Sequence, residues 1–159
     1  CGEKKMVLRR LLQPHTIEIS TGYLDKWSAI ERLADLIVSS GKATDRDTLL
    51  SAILDRERRG STGFGHGIAI PRARTEIVRE VGAALGISAP GMDFDSTDGR
   101  PCHLVFLIVA PPHEPTQYLE ALAAAAALRQ RPSLIARLKE AGCVDDVLAS
   151  LNASREGRN

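Results

Sequence analysis

A glycine-rich segment, Ser61-Thr-Gly-Phe-Gly-His-Gly67, has the residue types and spacing with the clearest capacity for chemistry. Glycine adopts positive φ readily, and successive backbone N–H groups in such conformations can bind an anion. We therefore expect Thr62, Gly63, Gly65 and Gly67 to form an anion-binding loop. The alternative is a tight connector without a ligand. The segment is not a P-loop, because no Gly-Lys-Ser/Thr follows and because it precedes a strand rather than a helix.

Three side chains near this segment could act on an anion. His66 lies within it, and a loop imidazole can carry a proton or a phosphoryl group. Arg72 and Arg74 flank Ala73 a few residues later, and guanidinium groups suit phosphate or carboxylate ligands. All three could also be solvent-exposed residues without a role. Their spacing alone leaves both interpretations open.

Metal and nucleophile chemistry have little support elsewhere in the chain. The remaining histidines and the three cysteines do not approach metal-ligand spacing, so we expect no metal and no cofactor. Ser61 has no recognisable nucleophile elbow or dyad around it. The neighbouring Cys102 and His103 are only a weak signal of a reactive pair.

Composition excludes several classes of protein. The 159 residues are 43% hydrophobic and 26% charged, which is typical of a globular chain. A formal net charge of +1 gives no electrostatic footprint for nucleic acid. The apolar stretches are far shorter than a membrane span, so we expect no membrane insertion. Three cysteines are too few for a disulfide framework, which favours a reducing, cytoplasmic location.

Hydrophobic periodicity places the elements of the first half. Leucines at 8, 11 and 12 indicate a short helical turn, and 16–19 alternates like a strand. Helices are expected over 24–39 and from Thr44 to Gly60, with Thr44 and Asp47 forming a capping box. The glycine-rich segment then enters a short buried strand that Pro71 ends.

The second half predicts strands over 81–87 and 103–109, with a hairpin-like excursion between them that turns at Asp98-Gly99. Helices follow over 114–129, from Pro132 to Gly142, and over 144–151. This order predicts an α/β fold with three layers, α/β/α, in which helices flank a small mixed sheet.

The predicted domain organisation is simple. Met6 looks like a natural initiator, so residues 1–5 are interpreted as a tag or upstream residues. Residues 6–152 form one domain, and 153–159 form a flexible tail.

One long segment carries a family resemblance. Leu54-Asp-Arg-Glu-Arg-Arg-Gly-Ser-Thr-Gly-Phe-Gly-His-Gly-Ile-Ala-Ile-Pro71 resembles the signature of enzyme IIA domains of the bacterial sugar phosphotransferase system, fructose/mannitol class, including the nitrogen-regulatory branch. The opening Met6–Pro14, the strand Leu104–Pro111 and the helix near Tyr118-Leu119 match as well. The resemblance therefore spans about residues 6–151.

This resemblance implies a specific chemistry and a specific departure from it. In the family, the histidine directly after Ile-Pro takes a phosphoryl group from the histidine-containing phosphocarrier protein and passes it to a sugar-transporting IIB domain. Arg72 occupies that position here, and a guanidinium stays protonated and is a poor nucleophile. A second family histidine corresponds to Tyr118, although a small gap could bring His113 nearer. The resemblance thus implies that phosphoryl transfer is lost.

Two functions of different kinds remain. The first is a regulatory module that binds the phosphocarrier protein, a transporter or regulator protein, or a small anionic metabolite through the loop and Arg72. The second is an active phosphocarrier that uses His66, or His113, with Arg72 stabilising the transferred charge. A structural domain without a ligand is the remaining possibility.

Overall fold

The computed structural model describes residues 2–20 and 22–153, which form one mixed sheet and the helices around it. The helices are α1 Gly2–Leu11, α2 Lys26–Ser39, α3 Arg46–Arg59, α4 Pro115–Ala126, α5 Pro132–Lys139 and α6 Val144–Ala153. The strands are β1 Ile17–Ser20, β2 Gly63–Gly65, β3 Ile68–Ala69, β4 Arg72–Arg74, β5 Gly82–Met92 and β6 Cys102–Ala110. Short 3-10 turns cover Pro14–Thr16 and Ala127–Gln130.

The sheet is built around β5 and β6, which pair antiparallel with Leu85 opposite Phe106. The strand order is β1-β5-β6-β3-β2, and β4 also pairs with β6. β1 runs parallel to β5, β3 and β4 run parallel to β6, and β2 is antiparallel to β3. The predicted mixed sheet is confirmed.

Helices cover both faces of this sheet. Side chains alternate along β6, with Leu104, Phe106 and Ile108 packed in a core that α1, α4, α5 and α6 complete. Val105 and Val109 point to the opposite face, where a second core includes α2 and α3. Because both faces of the sheet are buried, the sequence of β6 is apolar at every position from Leu104 to Ala110. The three-layer α/β/α arrangement is confirmed.

The start of α3 differs from the prediction. The cap is Asp45, whose carboxylate accepts from the Thr48 backbone N–H at 3.2 Å and from its hydroxyl at 2.7 Å. Thr44 is instead held by Ile77, whose carbonyl accepts from the Thr44 backbone N–H at 3.1 Å and from its hydroxyl at 3.4 Å. The predicted Thr44–Asp47 capping box is therefore wrong, because Thr44 is tied to the chain around Ile77 before the helix begins.

Pro71 does not end the extended segment that crosses the sheet. Its carbonyl accepts from the backbone N–H of Ile108 at 3.0 Å, and the parallel pairing with β6 resumes at Arg72. Proline interrupts donation at one position only, so pairing on either side of it is possible. As a result Arg72 and Arg74 belong to a strand, which the sequence pattern does not predict.

The chain ends bear on the predicted domain limits. Helix α1 begins at Gly2, so helical backbone extends through residues interpreted above as a tag or upstream chain. Helix α6 ends at Ala153, and residues 154–159 of the predicted tail lie outside the described residues. None of the helices in the described ranges is long and apolar enough to cross a membrane.

Candidate functional site

The glycine-rich segment is a closed β-hairpin. Gly63 pairs with Ala69 and Gly65 pairs with Ile68 across β2 and β3. The turn between the strands places His66 at φ 59° and Gly67 at φ 77°. Two consecutive positive φ values are typical of the type I′ turn, whose twist matches that of paired strands. The glycine at 67 therefore serves the turn.

Side-chain oxygens of the same chain already use the amides near this hairpin. The Thr62 N–H donates to Glu57 Oε1 at 3.1 Å, and the Gly63 N–H donates to Ser61 Oγ at 3.1 Å. The His66 N–H donates to Asp98 Oδ2 at 3.1 Å. An anion cannot use donors that are already bonded. Two amides of the expected anion-binding loop, those of Thr62 and Gly63, are therefore engaged within the chain, and anion binding at Gly65 and Gly67 stays a prediction.

His66 lies far from Arg72 along the sheet. The Gly67 carbonyl accepts from the backbone N–H of Leu104, whereas Arg72 is paired with Ile108. Leu104 and Ile108 are four residues apart on β6, which at ~3.3 Å per residue is about 13 Å. The hairpin turn and β4 thus lie at different levels of the sheet, and joint action of His66 and Arg72 on one group stays a prediction without support from this placement.

Arg72 begins β4 and is half-buried. Its Nε donates to the carbonyl of Ile70 at 3.1 Å, and among residues 2–20 and 22–153 its two terminal nitrogens have no hydrogen-bond partner. Burial lowers the pKa of Arg72, Arg56 lowers it as well, and Tyr118 and Glu57 raise it. An arginine side chain nevertheless remains protonated in a protein.

Arg74 and Tyr118 lie on the same side as Arg72. The Arg74 guanidinium carbon is 5.3 Å from the centre of the Tyr118 ring, and its Nη2 donates to the Pro112 carbonyl at 2.7 Å. Tyr118 is buried in the first turn of α4. Burial raises the pKa of its hydroxyl, although Arg72, Arg74 and Arg56 each lower it. The hydroxyl is thus a protonated donor at neutral pH.

Arg56 completes the group and is not predicted from the sequence. It lies in the last turn of α3, and its Nη1 donates to the Gly60 carbonyl at 2.9 Å. Its charge acts on both Arg72 and Tyr118. Only the packing of α3 against β4 brings it there, so spacing along the chain carries no signal for it.

We call Arg56, Arg72, Arg74 and the Tyr118 hydroxyl the arginine cluster. Within the described ranges, none of the three guanidinium groups pairs with a carboxylate. Unpaired guanidinium groups and a phenol donor can bind a tetrahedral oxyanion through charge-assisted hydrogen bonds. A guanidinium has no lone pair available for attack on phosphorus, and a protonated phenol is only a weak nucleophile at neutral pH. The cluster is therefore equipped to bind an oxyanion and lacks an activated nucleophile.

Two histidines outside the cluster have other surroundings. His113 is exposed, 3.8 Å from Glu114 Oε1, and follows the Pro112 carbonyl that holds Arg74. His103 Nδ1 lies 3.0 Å from the Ser88 carbonyl. Burial raises the pKa of the adjacent Cys102 thiol to about 12, so the Cys102–His103 pair offers no reactive thiolate.

Comparison with known proteins gives the family. The family described as "Phosphoenolpyruvate-dependent sugar phosphotransferase system, EIIA 2" matches residues 10–154. The fructose-specific EIIABC component of Bacillus subtilis is 37% identical over 92% of this chain, which spans only 23% of that longer protein. The fructose-specific EIIA component of Haloferax volcanii is 40% identical, with 79% of this chain and 84% of that protein covered. A nitrogen regulatory protein of Pseudomonas aeruginosa is 33% identical, with 84% and 87% covered.

Solved structures of IIA proteins also match this chain. The nitrogen regulatory protein IIA-Ntr from Neisseria meningitidis matches with a TM-score of 0.82 at 25% identity, covering 91% of this chain and 99% of that one. The IIA mannitol protein of Escherichia coli matches with a TM-score of 0.73 at 28% identity, covering 88% and 98%. The chain belongs to the EIIA 2 family of the phosphoenolpyruvate-dependent sugar phosphotransferase system.

Proposed function

We propose that this chain is a regulatory IIA-type domain that binds a phosphoryl-class oxyanion at the arginine cluster without accepting the phosphoryl group. The bound group belongs either to a partner protein or to a small anionic metabolite. The proposed location is cytoplasmic, where phosphorylated proteins and metabolites of this kind are available.

The observation that carries this proposal is that the Tyr118 ring packs against Arg74, two residues from Arg72 on β4. Arg72 and Tyr118 occupy the two positions at which the family resemblance expects histidines, and each influences the pKa of the other. A protonated guanidinium and a protonated phenol both donate hydrogen bonds, whereas a phosphoacceptor needs an activated nucleophile. The pair therefore supports binding and argues against transfer.

Protein partners are proposed from the relatives. One similar structure is a complex of enzyme IIA mannitol with phosphorylated enzyme IIB from Escherichia coli, which matches this chain with a TM-score of 0.74 at 27% identity. By analogy, the candidates here are the histidine-containing phosphocarrier protein and a transporter or regulator protein. An unpaired cationic cluster would favour the phosphorylated form of such a partner.

A second candidate function is an active phosphocarrier that uses His113. The observation in its favour is that His113 is exposed and directly follows Pro112, whose carbonyl binds Arg74. His113 is thus next in sequence to a residue whose backbone contacts the arginine cluster. His66 has no comparable support, because it lies about 13 Å from the level of Arg72 along β6.

Intact-mass measurement distinguishes these functions. The wild type is incubated with phosphoenolpyruvate, enzyme I and the histidine-containing phosphocarrier protein, beside His113→Ala, His66→Ala and Arg72→His. We expect no phosphoryl adduct on the wild type. An acid-labile adduct on the wild type would overturn the regulatory function, and its loss in one histidine variant would identify the nucleophile. An adduct on Arg72→His alone would support a domain that still meets its donor and has lost the acceptor.

A further inference from the structure

A buried lysine and a buried glutamate lie behind the arginine cluster. Lys26, the first residue of α2, is 8% exposed, and Glu57, on α3, is 2% exposed. The Lys26 Nζ donates to Glu57 Oε1 at 3.2 Å and lies 2.9 Å from Oδ2 of the exposed Asp95. It also lies 4.7 Å from the centre of the Trp27 ring. Lysine and glutamate are rarely buried unless they are paired, and here each is the partner of the other.

A continuous series of hydrogen bonds connects this pair to Arg72. Glu57 accepts from Thr62 twice, from its N–H at 3.1 Å and from its hydroxyl at 2.6 Å. The Thr62 carbonyl accepts from the Ile70 N–H at 3.1 Å, and the Ile70 carbonyl accepts from Arg72 Nε at 3.1 Å. A displacement of Glu57 would therefore be transmitted to the guanidinium of Arg72.

The same pair determines the charge behind the cluster. The negative charge of Glu57 acts on Arg72, where it raises the pKa. A carboxylate at that position repels an anion bound to Arg72 unless a cation offsets it. The ammonium group of Lys26 is the cation in direct contact with Glu57. Exposed Asp95, 67% accessible at its side chain, competes for the same ammonium group.

We infer that Lys26 and Glu57 act as a positioning and charge-setting pair for the arginine cluster. Glu57 fixes Thr62 and through it Arg72, while Lys26 cancels the Glu57 charge so that the cluster is cationic toward an oxyanion. This inference rests on the proposed oxyanion binding. It adds two residues that do not touch the anion and that set the affinity for it.

The test measures binding of inorganic phosphate by isothermal titration calorimetry at low ionic strength. We expect Lys26→Met to weaken phosphate binding about tenfold, because one uncompensated buried charge then opposes the anion. We expect the double variant Lys26→Met/Glu57→Gln to bind within about threefold of the wild type, since glutamine keeps an acceptor for Thr62 and carries no charge. The matched control is Lys42→Met/Glu80→Gln, which removes another ion pair, 3.0 Å between its charged atoms.

A purely structural role predicts a different pattern. In that case the double variant binds phosphate no better than Lys26→Met does, and the loss of phosphate affinity follows the fall in melting temperature. This result would overturn the inference.

Asp95→Asn is a second test, at an exposed residue. Asp95 has a positive φ, which asparagine tolerates. The substitution frees Lys26 to offset Glu57, so we expect phosphate binding to tighten about twofold. Unchanged or weaker binding in Asp95→Asn would contradict the charge-setting role.

The wild type and Arg72→Met separate failure of this inference from failure of the proposed function. If the wild type binds no phosphate, or if Arg72→Met binds as tightly as the wild type, the proposed function is wrong and the inference falls with it. If Arg72→Met loses binding while Lys26→Met keeps it, the proposed function stands and only the inference is overturned.

Discussion

The guanidinium of Arg74 lies over the ring of Tyr118, with 5.3 Å between the guanidinium carbon and the ring centre. A further hydrogen bond of 2.7 Å to the Pro112 carbonyl holds the same side chain. Neither contact neutralises the positive charge, since an aromatic face and a backbone carbonyl are both uncharged. Arg74 is thus oriented by its neighbours while its charge stays available to a ligand.

Tyr118→Phe tests whether the hydroxyl of this ring belongs to the binding site. Among the described residues, no hydrogen-bond partner of the Tyr118 hydroxyl is found, so its removal is expected to change the free energy of unfolding by less than ~0.5 kcal/mol. Phosphate affinity is expected to fall several-fold, because the phenol donor is lost. Titration calorimetry and urea unfolding measure the two effects.

Tyr23→Phe is the matched control for that change. The Tyr23 hydroxyl donates to Glu18 Oε1 at 3.1 Å, remote from the arginine cluster. We expect a loss of about 1 kcal/mol of stability from the missing hydrogen bond and unchanged phosphate affinity. If both variants leave phosphate affinity unchanged, the Tyr118 hydroxyl is not a ligand.

Gly63→Ala tests the close packing of the β2–β3 hairpin. A Cβ at Gly63 would lie 2.7 Å from Ser96 Oγ and 2.9 Å from the Phe94 carbonyl oxygen. The carbonyl belongs to the backbone and cannot turn away, so we expect a loss of about 1–3 kcal/mol in denaturant unfolding. Gly60→Ala is the control, because a Cβ there meets nothing within 4 Å. Equal stability of the two variants would show that the hairpin accommodates the methyl group.

His66→Asn tests the assignment of His66 to the turn. At φ 59° followed by Gly67 at φ 77°, this position favours the Asn-Gly sequence of type I′ turns. We expect a melting temperature equal to that of the wild type or slightly higher, and unchanged phosphate affinity. A large loss of phosphate affinity without a loss of stability would instead make His66 a binding residue.

Acid sensitivity is expected from three exposed carboxylates. A hydrogen bond from the Ser28 backbone N–H lowers the pKa of Asp25, and one from the Arg100 backbone N–H lowers the pKa of Asp98. The Thr48 hydroxyl and backbone N–H both donate to the Asp45 carboxylate and lower its pKa. A carboxyl whose pKa is lower in the folded state stabilises the fold above its unfolded pKa of ~3.9, and this contribution is lost as pH falls through the folded pKa. Stability is therefore expected to fall below about pH 4.

Asp45→Asn is the variant that isolates one of these groups. Asparagine can still accept from Thr48 at the start of α3 and does not titrate in this range. Denaturant unfolding at pH 6 and at pH 3 is expected to show a smaller acid-induced loss in Asp45→Asn than in the wild type. Equal losses in the two proteins would mean that Asp45 contributes nothing to the acid sensitivity.

The three layers, the mixed sheet and the main helices could be predicted from sequence because they follow from local periodicity. The continuous apolar run of Leu104–Ala110 and the apolar stripes of α2 and α3 are properties of contiguous segments. The strand at Arg72–Arg74 could not be predicted, since three residues after a proline carry no periodic signal.

The candidate site was only partly predictable for a similar reason. Arg72, Arg74 and Tyr118 are identified from sequence, the last through the family resemblance, and the structure places them together. Arg56 joins them only through the packing of α3 against β4. Sequence spacing also does not show that the Thr62 and His66 amides donate to Glu57 and Asp98, because these acceptors are brought to the hairpin by the fold. Spacing shows which residues could bind an anion, and tertiary structure decides which are free to do so.

The thermal unfolding midpoint as a function of phosphate concentration, at constant ionic strength, tests directly whether the folded chain binds a phosphoryl-class anion. A ligand that binds only the folded state raises this midpoint. We expect the wild type and Arg100→Met to show the same rise, since Arg100 precedes β6 at the end of the strand away from Arg72. Arg72→Met is expected to lose most of it. A rise of equal size in Arg72→Met, or no rise in the wild type, would contradict the central claim that the arginine cluster binds a phosphoryl-class anion.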